Sequence, residues 1–239
     1  MFYFSLPSIG TYKIILVIAA VIPAAFLMFK VYRSDRLEKE PPAILWRLTK
    51  AGIFAALIAL VLERIGSALL DLMVRENSAL YGVILYFVVV ALSEEGAKYF
   101  LLKRSSWRSP EFDCQFDGVV YAVFVSLGFA LWENISYVMA YGFQTAILRA
   151  LTAIPGHACF GVYMGVFYGL ARRSENRGLG GEAKAFRILS VLIPVLLHGA
   201  YDYIASSDTG DWIFVGFILA MFAATYLVVG IASKRDRFI

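Results

Sequence analysis

Two adjacent glutamates and a lysine lie inside an apolar stretch of the chain. Glu94, Glu95 and Lys98 fall within Leu92 to Leu102, whose other residues carry no charge. On a helix the lysine follows the glutamates by four and three residues, so it can reach both carboxylates. One lysine neutralises only one of them, and the other must be protonated, paired elsewhere or turned toward water. This pattern suits a general base for catalysis, or an ion pair that fixes two helices together.

Further polar residues occur in three later apolar stretches. Glu133 has no basic residue nearby in the sequence, so its partner must come from another helix or from water. Asn134 beside it can act as a hydrogen-bond donor in a site or simply join two helices. His198 and Asp202 lie four residues apart on one helical face. There the carboxylate would fix the tautomer of the histidine and leave its other nitrogen for substrate, water or metal.

His157 is followed, at four-residue spacing, by three small residues, Gly161, Gly165 and Gly169. This spacing predicts a close approach between two helices. Because a four-residue step drifts only about 40° around a helix, His157 is expected to face protein and not lipid. A buried histidine of this kind is either a structural residue or part of a site.

Together these groups are compatible with three kinds of function. Carboxylates and imidazoles that converge in a bundle can activate water directly, bind a metal that activates water, or relay protons and ions. The first two describe a hydrolase, with no serine or cysteine evidently placed as a nucleophile. The third describes an ion-coupled transporter, although the chain shows no obvious internal repeat. A non-catalytic immunity or scaffold protein is a further alternative.

The composition indicates which elements must position these residues. Of the 239 residues, 60% are hydrophobic and 17% are charged, and the mean hydropathy is +0.72, which is far from soluble proportions. Seven apolar runs are long enough for transmembrane helices, which need about 20 residues each. We therefore predict an all-α, polytopic transmembrane helical bundle that forms one domain over residues 1–239. The predicted spans are residues 14–32, 51–70, 80–102, 117–141, 146–171, 188–206 and 212–232.

Basic residues alternate between the two sides of this bundle. The loops after the first, third and fifth spans and the C-terminal tail hold 17 of the 22 lysines and arginines, whereas Lys13 and Arg75 lie in the opposite segments. The positive-inside rule then places the N-terminus outside and the C-terminus in the cytoplasm. The basic residues that give the net charge of +4 are expected to lie at the surface of the lipid bilayer, so no nucleic-acid partner is expected. Because its basic cluster follows the first span, that span is predicted to be a retained anchor and not a signal peptide.

The remaining features have structural interpretations. Glu63 and Arg64 lie near the predicted outer end of the second span, where charged side chains reach the interface. The segment 37–42 is predicted to be extended because it contains two consecutive prolines, and no chemistry is assigned to it. Cys114 and Cys159 lie in segments that the pattern does not bring together, so no disulfide is expected. The seventh span has no ionisable residue and is predicted to be scaffold.

The order of these motifs resembles the PrsW family of intramembrane proteases. Three motifs on successive polar spans carry the resemblance: Glu94-Glu95-x-x-Lys98, Phe129-x-x-x-Glu133 and His198-x-x-x-Asp202. It extends to Asp117-Gly118 at the start of the fourth span and to Gly156-His157-Ala158 in the fifth. The more distant CAAX-processing endoproteases have arginine and histidine at the positions of Lys98 and Glu133, so the chain is more similar to PrsW.

The resemblance implies site-1 cleavage of a single-span anti-sigma factor, on its extracytoplasmic side, in a stress response of the bacterial cell membrane. Other proteases would then act on the product. It implies that the essential residues are Glu94, Glu95, Glu133 and His198. The residues that support them would be Lys98, Asn134, His157 and Asp202. Glu94 or Glu95 would take a proton from the attacking water. His198, oriented by Asp202, would protonate the leaving amine or stabilise the oxyanion, and Asn134 would supply a further donor.

The same residues also suit a metal-dependent mechanism. Glu94, Glu133, His157 and His198 offer nitrogen and oxygen donors that Zn²⁺ or another divalent metal accepts, and the remaining glutamate would be the base. The alternative requires no cofactor. At 1.5 Å per residue from the predicted cytoplasmic helix ends, the four side chains lie at different depths, from about 12 Å for Glu94 to about 24 Å for Glu133. A single compact site is therefore expected from the resemblance and not from these counts.

Overall fold

The computed structural model describes residues 9–207 and 210–239, which are mostly helical. Within these ranges, seven helical segments are long and apolar enough to cross a membrane. They are Gly10–Ser34, Pro42–Met73, Leu80–Ser106, Asp117–Tyr141, Phe143–Asn176, Gly180–Ala205 and Asp211–Lys234. Each overlaps one predicted apolar run. The prediction of an all-α bundle with about seven spans is confirmed.

The described part of the chain forms nine α-helices and one π-helical segment. They are α1 (Ile9–Ser34), α2 (Pro42–Met73), α3 (Ala79–Val83), the π segment (Ile84–Ala91), α4 (Leu92–Ser106), α5 (Asp117–Tyr141), α6 (Phe143–Leu151), α7 (Ala153–Asn176), α8 (Gly180–Ala205) and α9 (Asp211–Lys234). The third span runs through α3, the π segment and α4 without a break. In a π-helix each N–H bonds the carbonyl five residues earlier, so each turn takes about one residue more than an α-helical turn.

The second span begins earlier than the apolar pattern predicted. The backbone at Pro41 is extended (φ −58°, ψ 137°), but α2 starts immediately at Pro42. Proline suits this first helical position because the N–H that it lacks would have no partner inside the helix. The two prolines therefore mark the start of the helix, and the basic residues that follow them belong to its first turns.

The fifth span consists of two helices instead of one continuous helix. α6 ends at Leu151 and α7 begins at Ala153, and Thr152 between them has φ −122° and ψ −72°. Pro155 explains the break, because it has no N–H for the carbonyl of Leu151 and its ring clashes with that carbonyl. The predicted span 146–171 therefore contains a change of direction that its apolar pattern does not reveal.

α5 is the buried centre of the bundle and packs against α1, α2, α4 and α7. Where it meets α7, a Cβ on Gly165 would lie 2.4 Å from the carbonyl oxygen of Gly118. Where it meets α2, a Cβ on Gly128 would lie 2.2 Å from the carbonyl oxygen of Thr49. Only glycine permits such approaches. The predicted small-residue face of α7 thus packs on α5, and His157, which is 4% exposed, faces protein as expected.

One end of the bundle collects the clusters of basic residues, and we call it the basic end. α1, α4, α7 and α9 end there, and α2, α5 and α8 begin there. The C-terminal residues lie along the loop before α5, where the Ile239 N–H donates to the Asp113 carbonyl oxygen (2.7 Å). Cys114 in this loop and Cys159 in α7 are both buried free thiols.

Large apolar side chains cover the outer faces of the peripheral helices. Phe54, Leu72 and Tyr226 are each more than half exposed, and many other apolar residues share this position. A soluble monomer rarely exposes a continuous apolar surface of this kind, whereas a lipid-facing surface requires it. Together with the seven spans, this surface identifies the chain as a multi-pass membrane protein.

Candidate active site

Glu94 and Glu95 occupy the first turn of α4, directly after the π segment. Lys98 lies one turn further on, and its Nζ donates to Glu94 Oε2 (3.0 Å) and Glu95 Oε1 (2.7 Å). Glu95 and Lys98 are 0% exposed and Glu94 is 5% exposed. The ammonium group also lies 3.9 Å from the ring centroid of Phe129, a cation–π contact. The predicted ion pair of one lysine with two glutamates is therefore present.

His157 connects these glutamates to Glu133 on α5. Its Nδ1 lies 3.2 Å from Lys98 Nζ, and its Nε2 lies 2.9 Å from Glu133 Oε2. Because an ammonium group can only donate, Nδ1 is the acceptor and Nε2 carries the proton that Glu133 accepts. The two contacts therefore select one neutral tautomer of the imidazole.

Glu133 has a second partner that the sequence pattern did not identify. Arg149 of α6 donates from Nη2 to Glu133 Oε2 (2.8 Å) and from Nε to Asn134 Oδ1 (3.0 Å). A signal was present in the sequence, because Arg149 is the only lysine or arginine between Arg108 and Arg172. A lone arginine in so long an apolar stretch needs a partner inside the membrane.

Asn134 joins three helices. Its Nδ2 donates to the Ala20 carbonyl oxygen of α1 (2.9 Å), and its Oδ1 accepts from Arg149 of α6. The side chain is 0% exposed and does not border the cavity described below. The structure therefore favours the helix-joining interpretation of Asn134 over its predicted role as a donor to an oxyanion.

His198 of α8 faces carboxylates on both sides. Its Nε2 lies 3.3 Å from Asp202 Oδ2, the partner that the four-residue spacing predicts, and its Nδ1 lies 2.9 Å from Glu95 Oε1. The expectation that the second ring nitrogen stays free is therefore wrong, because Glu95 contacts it. Both contacts are satisfied as hydrogen bonds when both nitrogens carry protons, as in the imidazolium form.

These side chains border one cavity of about 850 Å³. Its charged and imidazole residues are Glu63, Glu94, Glu133, Arg149, His157, His198, Asp202 and Asp211. Glu95 and Lys98 are not among the lining residues. The cavity reaches Ser206 and Asp211, which lie at the end of the bundle opposite the basic end.

The structure also explains why residue counting placed the four side chains at different depths. α4 continues to Ser106, α7 continues to Asn176 and α8 begins at Gly180, so three of the helix ends used for counting lay inside the actual helices. Each of the four counted side chains is linked to the next through direct contacts or through Lys98. The compact site that the resemblance implied is therefore assembled in the fold.

Glu63 is a cavity residue that the sequence pattern placed at the interface. α2 extends to Met73, so Glu63 lies ten residues before its end, about 15 Å inside the span. It borders the same cavity as Glu94 and Glu133, and the interfacial interpretation is wrong for this residue. Arg64, its neighbour in sequence, is exposed on the outer face.

Comparison with known proteins identifies the family. The family model described as "PrsW family intramembrane metalloprotease" matches residues 40–230. The chain belongs to the PrsW family. Protease PrsW of Shouchella clausii (strain KSM-K16) is 32% identical to it over 93% of this chain and 98% of the relative. The corresponding values are 33%, 80% and 79% for Protease PrsW of Clostridioides difficile (strain 630), and 31%, 82% and 84% for that of Bacillus subtilis (strain 168). No solved structure matches the chain.

Membership of the PrsW family selects among the functions that the polar residues allowed. The chain is a membrane protease, a hydrolase that acts on peptide bonds. The transporter and scaffold alternatives are therefore not supported. The buried carboxylates and histidines of the cavity are the groups that can activate water for this reaction.

The PrsW family is described as a family of metalloproteases, and one group of side chains fits a divalent metal. Ligand atoms of Glu94, Glu95 and His157 lie within 4.8 Å of one another, and all three residues are buried. Two carboxylates and an imidazole are donors that zinc accepts. Glu95 Oε2 is buried and has no hydrogen-bond partner, so it remains available as a ligand. Lys98 contacts the same three side chains, so a metal would share them with an ammonium group.

This group differs in part from the predicted metal ligands. Glu94 and His157 belong to it, but Glu95 replaces the predicted Glu133 and His198. Glu133 lies on the far side of the His157 ring, where it contacts Nε2. His198 reaches the group from α8 through Glu95 Oε1. Both residues therefore orient the ligands of this group from outside it.

Proposed function

We propose that this protein cleaves a single-span membrane protein, an anti-sigma factor, at site 1 on the extracytoplasmic side of the bacterial cell membrane. The cleavage would belong to a stress response in which other proteases then act on the product. The observation that carries the proposal is the position of Glu94. Its carboxylate borders a polar cavity that reaches the end of the bundle opposite the basic end.

The charge distribution supports cleavage on the outer side. Short loops rich in lysine and arginine remain in the cytoplasm, so the basic end is the cytoplasmic end of the bundle. The cavity then opens toward the outside, through residues such as Ser206 and Asp211. A substrate segment that leaves the membrane on that side can enter the cavity without crossing the bilayer.

Glu94 acts as the general base in this proposal. It borders the cavity, whereas Glu95 is 0% exposed and lies behind it. As the water oxygen bonds to the peptide carbonyl carbon, one water proton moves to a carboxylate oxygen of Glu94. Glu95 positions the site by accepting from Lys98 (2.7 Å) and by contacting His198 Nδ1 (2.9 Å).

His198 donates the proton that the leaving amine requires. Its ring borders the cavity, and in the imidazolium form its two nitrogens would donate to Glu95 and Asp202. When the carbon–nitrogen bond breaks, a ring proton passes to the amine nitrogen, and the amine leaves as a neutral group instead of a high-energy amide anion. The proton held by Glu94 restores the imidazolium after the products leave.

The remaining residues hold this geometry. Glu133 and Arg149 fix the tautomer of His157, which keeps its Nδ1 directed toward α4. A divalent metal bound by Glu94, Glu95 and His157 would supply a Lewis acid that lowers the pKa of water and polarises the peptide carbonyl. Glu133 and Arg149 would orient the His157 ring in the same way with and without it.

Reconstitution with a purified single-span anti-sigma factor tests this proposal. In proteoliposomes we expect the wild type to cleave the substrate, and Glu94→Gln and His198→Ala to reduce the rate at least about 100-fold. Glu76→Gln changes an exposed glutamate of the loop between α2 and α3 and serves as the control. Cleavage by all variants at the wild-type rate would contradict the proposed site. A chelator that stops the wild type would indicate metal-bound water.

The side of cleavage is tested in the same vesicles. Vesicles of one orientation are selected by the accessibility of a tag after Ile239. The masses of the two substrate fragments then locate the cleaved bond relative to the transmembrane segment of the substrate. We expect the bond to lie at the end of that segment opposite the basic end of the protease. A bond at the other end would contradict extracytoplasmic cleavage while leaving the proteolytic site intact.

A further inference from the structure

A second group of buried carboxylates lies at the basic end, away from the cavity. Asp35 follows α1, Glu40 precedes α2 and Asp117 is the first residue of α5. Their side chains are 2%, 1% and 0% exposed, and one oxygen of each lies within 4.8 Å of the others. We call these three residues the Asp35 cluster. Neither the proposed proteolysis nor the resemblance assigns a role to Asp35 or Glu40.

Several oxygens of the Asp35 cluster have no hydrogen-bond partner. They are both carboxylate oxygens of Asp35, Oε1 of Glu40 and Oδ1 of Asp117. In Glu40 and in Asp117, the other carboxylate oxygen is held in place by a hydrogen bond. Asp117 Oδ2 accepts from the Cys114 N–H (2.7 Å), and Glu40 Oε2 accepts from the Tyr121 hydroxyl (2.6 Å). The unpartnered oxygens are therefore oriented by the fold and remain available to a ligand.

No carboxylate of this cluster has an ion-pair partner within 4.0 Å among the described residues. Lys39, in the same loop, donates from Nζ to the backbone carbonyl oxygens of Tyr32 and Asp35, and not to a carboxylate. None of the ion pairs in the described ranges includes a residue of the cluster. Three buried carboxylates without an ion-pair partner are unfavourable, which requires either protons or a bound cation.

We propose that the Asp35 cluster binds a divalent cation of the calcium and magnesium class. Carboxylate oxygens are the ligands that these hard cations prefer, and the cluster presents four unpartnered ones from three residues. The all-oxygen donor set separates this site from the group near Lys98, which includes an imidazole nitrogen. The two sites are also separate along α5: Asp117 is its first residue, whereas Phe129, which contacts Lys98, lies 12 residues further on.

A cation in this position joins two parts of the chain that are distant in sequence. It bridges the loop between α1 and α2 to the start of α5. The C-terminal tail packs against the same region, where the Phe116 N–H donates to Asp236 Oδ1 (2.8 Å). The cation therefore stabilises the start of the buried central helix, and its expected role is structural.

Thermal unfolding of the purified full chain tests the proposal. The protein in detergent is treated with a chelator, dialysed and heated with increasing CaCl₂ or MgCl₂. We expect one of these salts to raise Tm by about 5 to 10 °C at 100 times its dissociation constant. Asp35→Asn should abolish the rise. Glu38→Gln, which changes an exposed carboxylate in the same loop, should retain it, and so should Glu94→Gln, which alters the other candidate metal site.

Terbium luminescence provides a direct measurement on the wild type. Tb³⁺ substitutes for calcium in oxygen sites, and the Tyr121 ring beside Glu40 can sensitise its emission. We expect emission that Ca²⁺ or Mg²⁺ displaces and that Glu40→Gln weakens strongly. This result is informative even if Asp35→Asn does not fold. A Tm that neither salt changes, a rise that survives Asp35→Asn, or the absence of displaceable Tb³⁺ emission would each overturn the proposal and indicate that protons neutralise the cluster.

Discussion

Replacement of Lys98 by methionine should destabilise the protein strongly. The ammonium group is 0% exposed and donates to Glu94 Oε2 at 3.0 Å and to Glu95 Oε1 at 2.7 Å. Methionine preserves most of the side-chain volume but leaves two buried carboxylates without their cation. Hydrogen bonds to charged groups contribute about 1.5 to 3 kcal/mol each, and removal of one partner from a buried ion pair costs about 3 to 5 kcal/mol.

We therefore expect Lys98→Met to lower the free energy of unfolding by about 3 to 5 kcal/mol, which corresponds to a Tm decrease of about 6 to 20 °C. The assay is thermal unfolding of chelator-treated protein in detergent, so that a bound metal does not replace the missing charge. Lys103→Met, which changes an exposed lysine of the same helix, is the matched control. A further variant that combines Lys98→Met with Glu94→Gln and Glu95→Gln should recover part of the stability, because it no longer buries the unpaired charges.

The reasoning fails if Lys98→Met and Lys103→Met change Tm equally. It also fails if the combined variant is less stable than Lys98→Met alone, because the unpaired carboxylates would then not be the source of the destabilisation. In either case the buried ion pair would have little energetic importance, and another interaction would have to hold the start of α4 in position.

Three further predictions concern the residues around the site. Arg149→Gln removes the ion pair to Glu133, and we expect kcat/KM in the cleavage assay to fall about tenfold to 100-fold while Arg149→Lys retains part of the activity. Asn134→Ala leaves two buried polar groups unpaired, which should cost about 1 to 3 kcal/mol in a Tm measurement. Gly165→Leu places a Cβ 2.4 Å from a carbonyl oxygen of α5 and should prevent a monodisperse elution profile, whereas Gly216→Leu, whose Cβ meets open space, should not.

The features that the sequence predicted correctly are those set by composition or by local spacing. Seven spans follow from the apolar runs, because a helix must cross about 30 Å of hydrocarbon. The contacts of Lys98 with both glutamates follow from three- and four-residue spacing on one helix. The contact of His198 with Asp202 follows from the same geometry. None of these needs knowledge of how the helices are arranged.

The features that the sequence did not predict depend on contacts between distant segments. Arg149 reaches Glu133 because the chain breaks before Pro155, and the apolar pattern continues across that break. The interfacial placement of Glu63 was wrong because α2 continues past the last apolar run. The burial of Asp35 is also tertiary, since the loop that follows α1 is polar in sequence, whereas in the fold Asp35 lies beside Asp117 of α5.

The site also has features that the sequence predicted and one that it did not predict. Glu94, Glu95, Glu133 and His198 were found from their types and their apolar surroundings, and the fold brings them together. What the pattern could not assign was the distinction between the two adjacent glutamates. That distinction depends on which carboxylate borders the cavity, and adjacent residues on a helix point about 100° apart.

The π segment sets the rotational phase between the two halves of the third span. Tyr86, within the segment, and Glu94, after it, both border the cavity. Each wide turn takes about one residue more than an α-helical turn, and one residue corresponds to about 100° of rotation. If one of these turns narrowed to an α-helical turn with no residue removed, Glu94 would rotate by about 100° relative to Tyr86, and the two side chains could then not face the cavity together. The width of these turns, which the apolar pattern does not reveal, thus aligns the Glu94 carboxylate with the cavity.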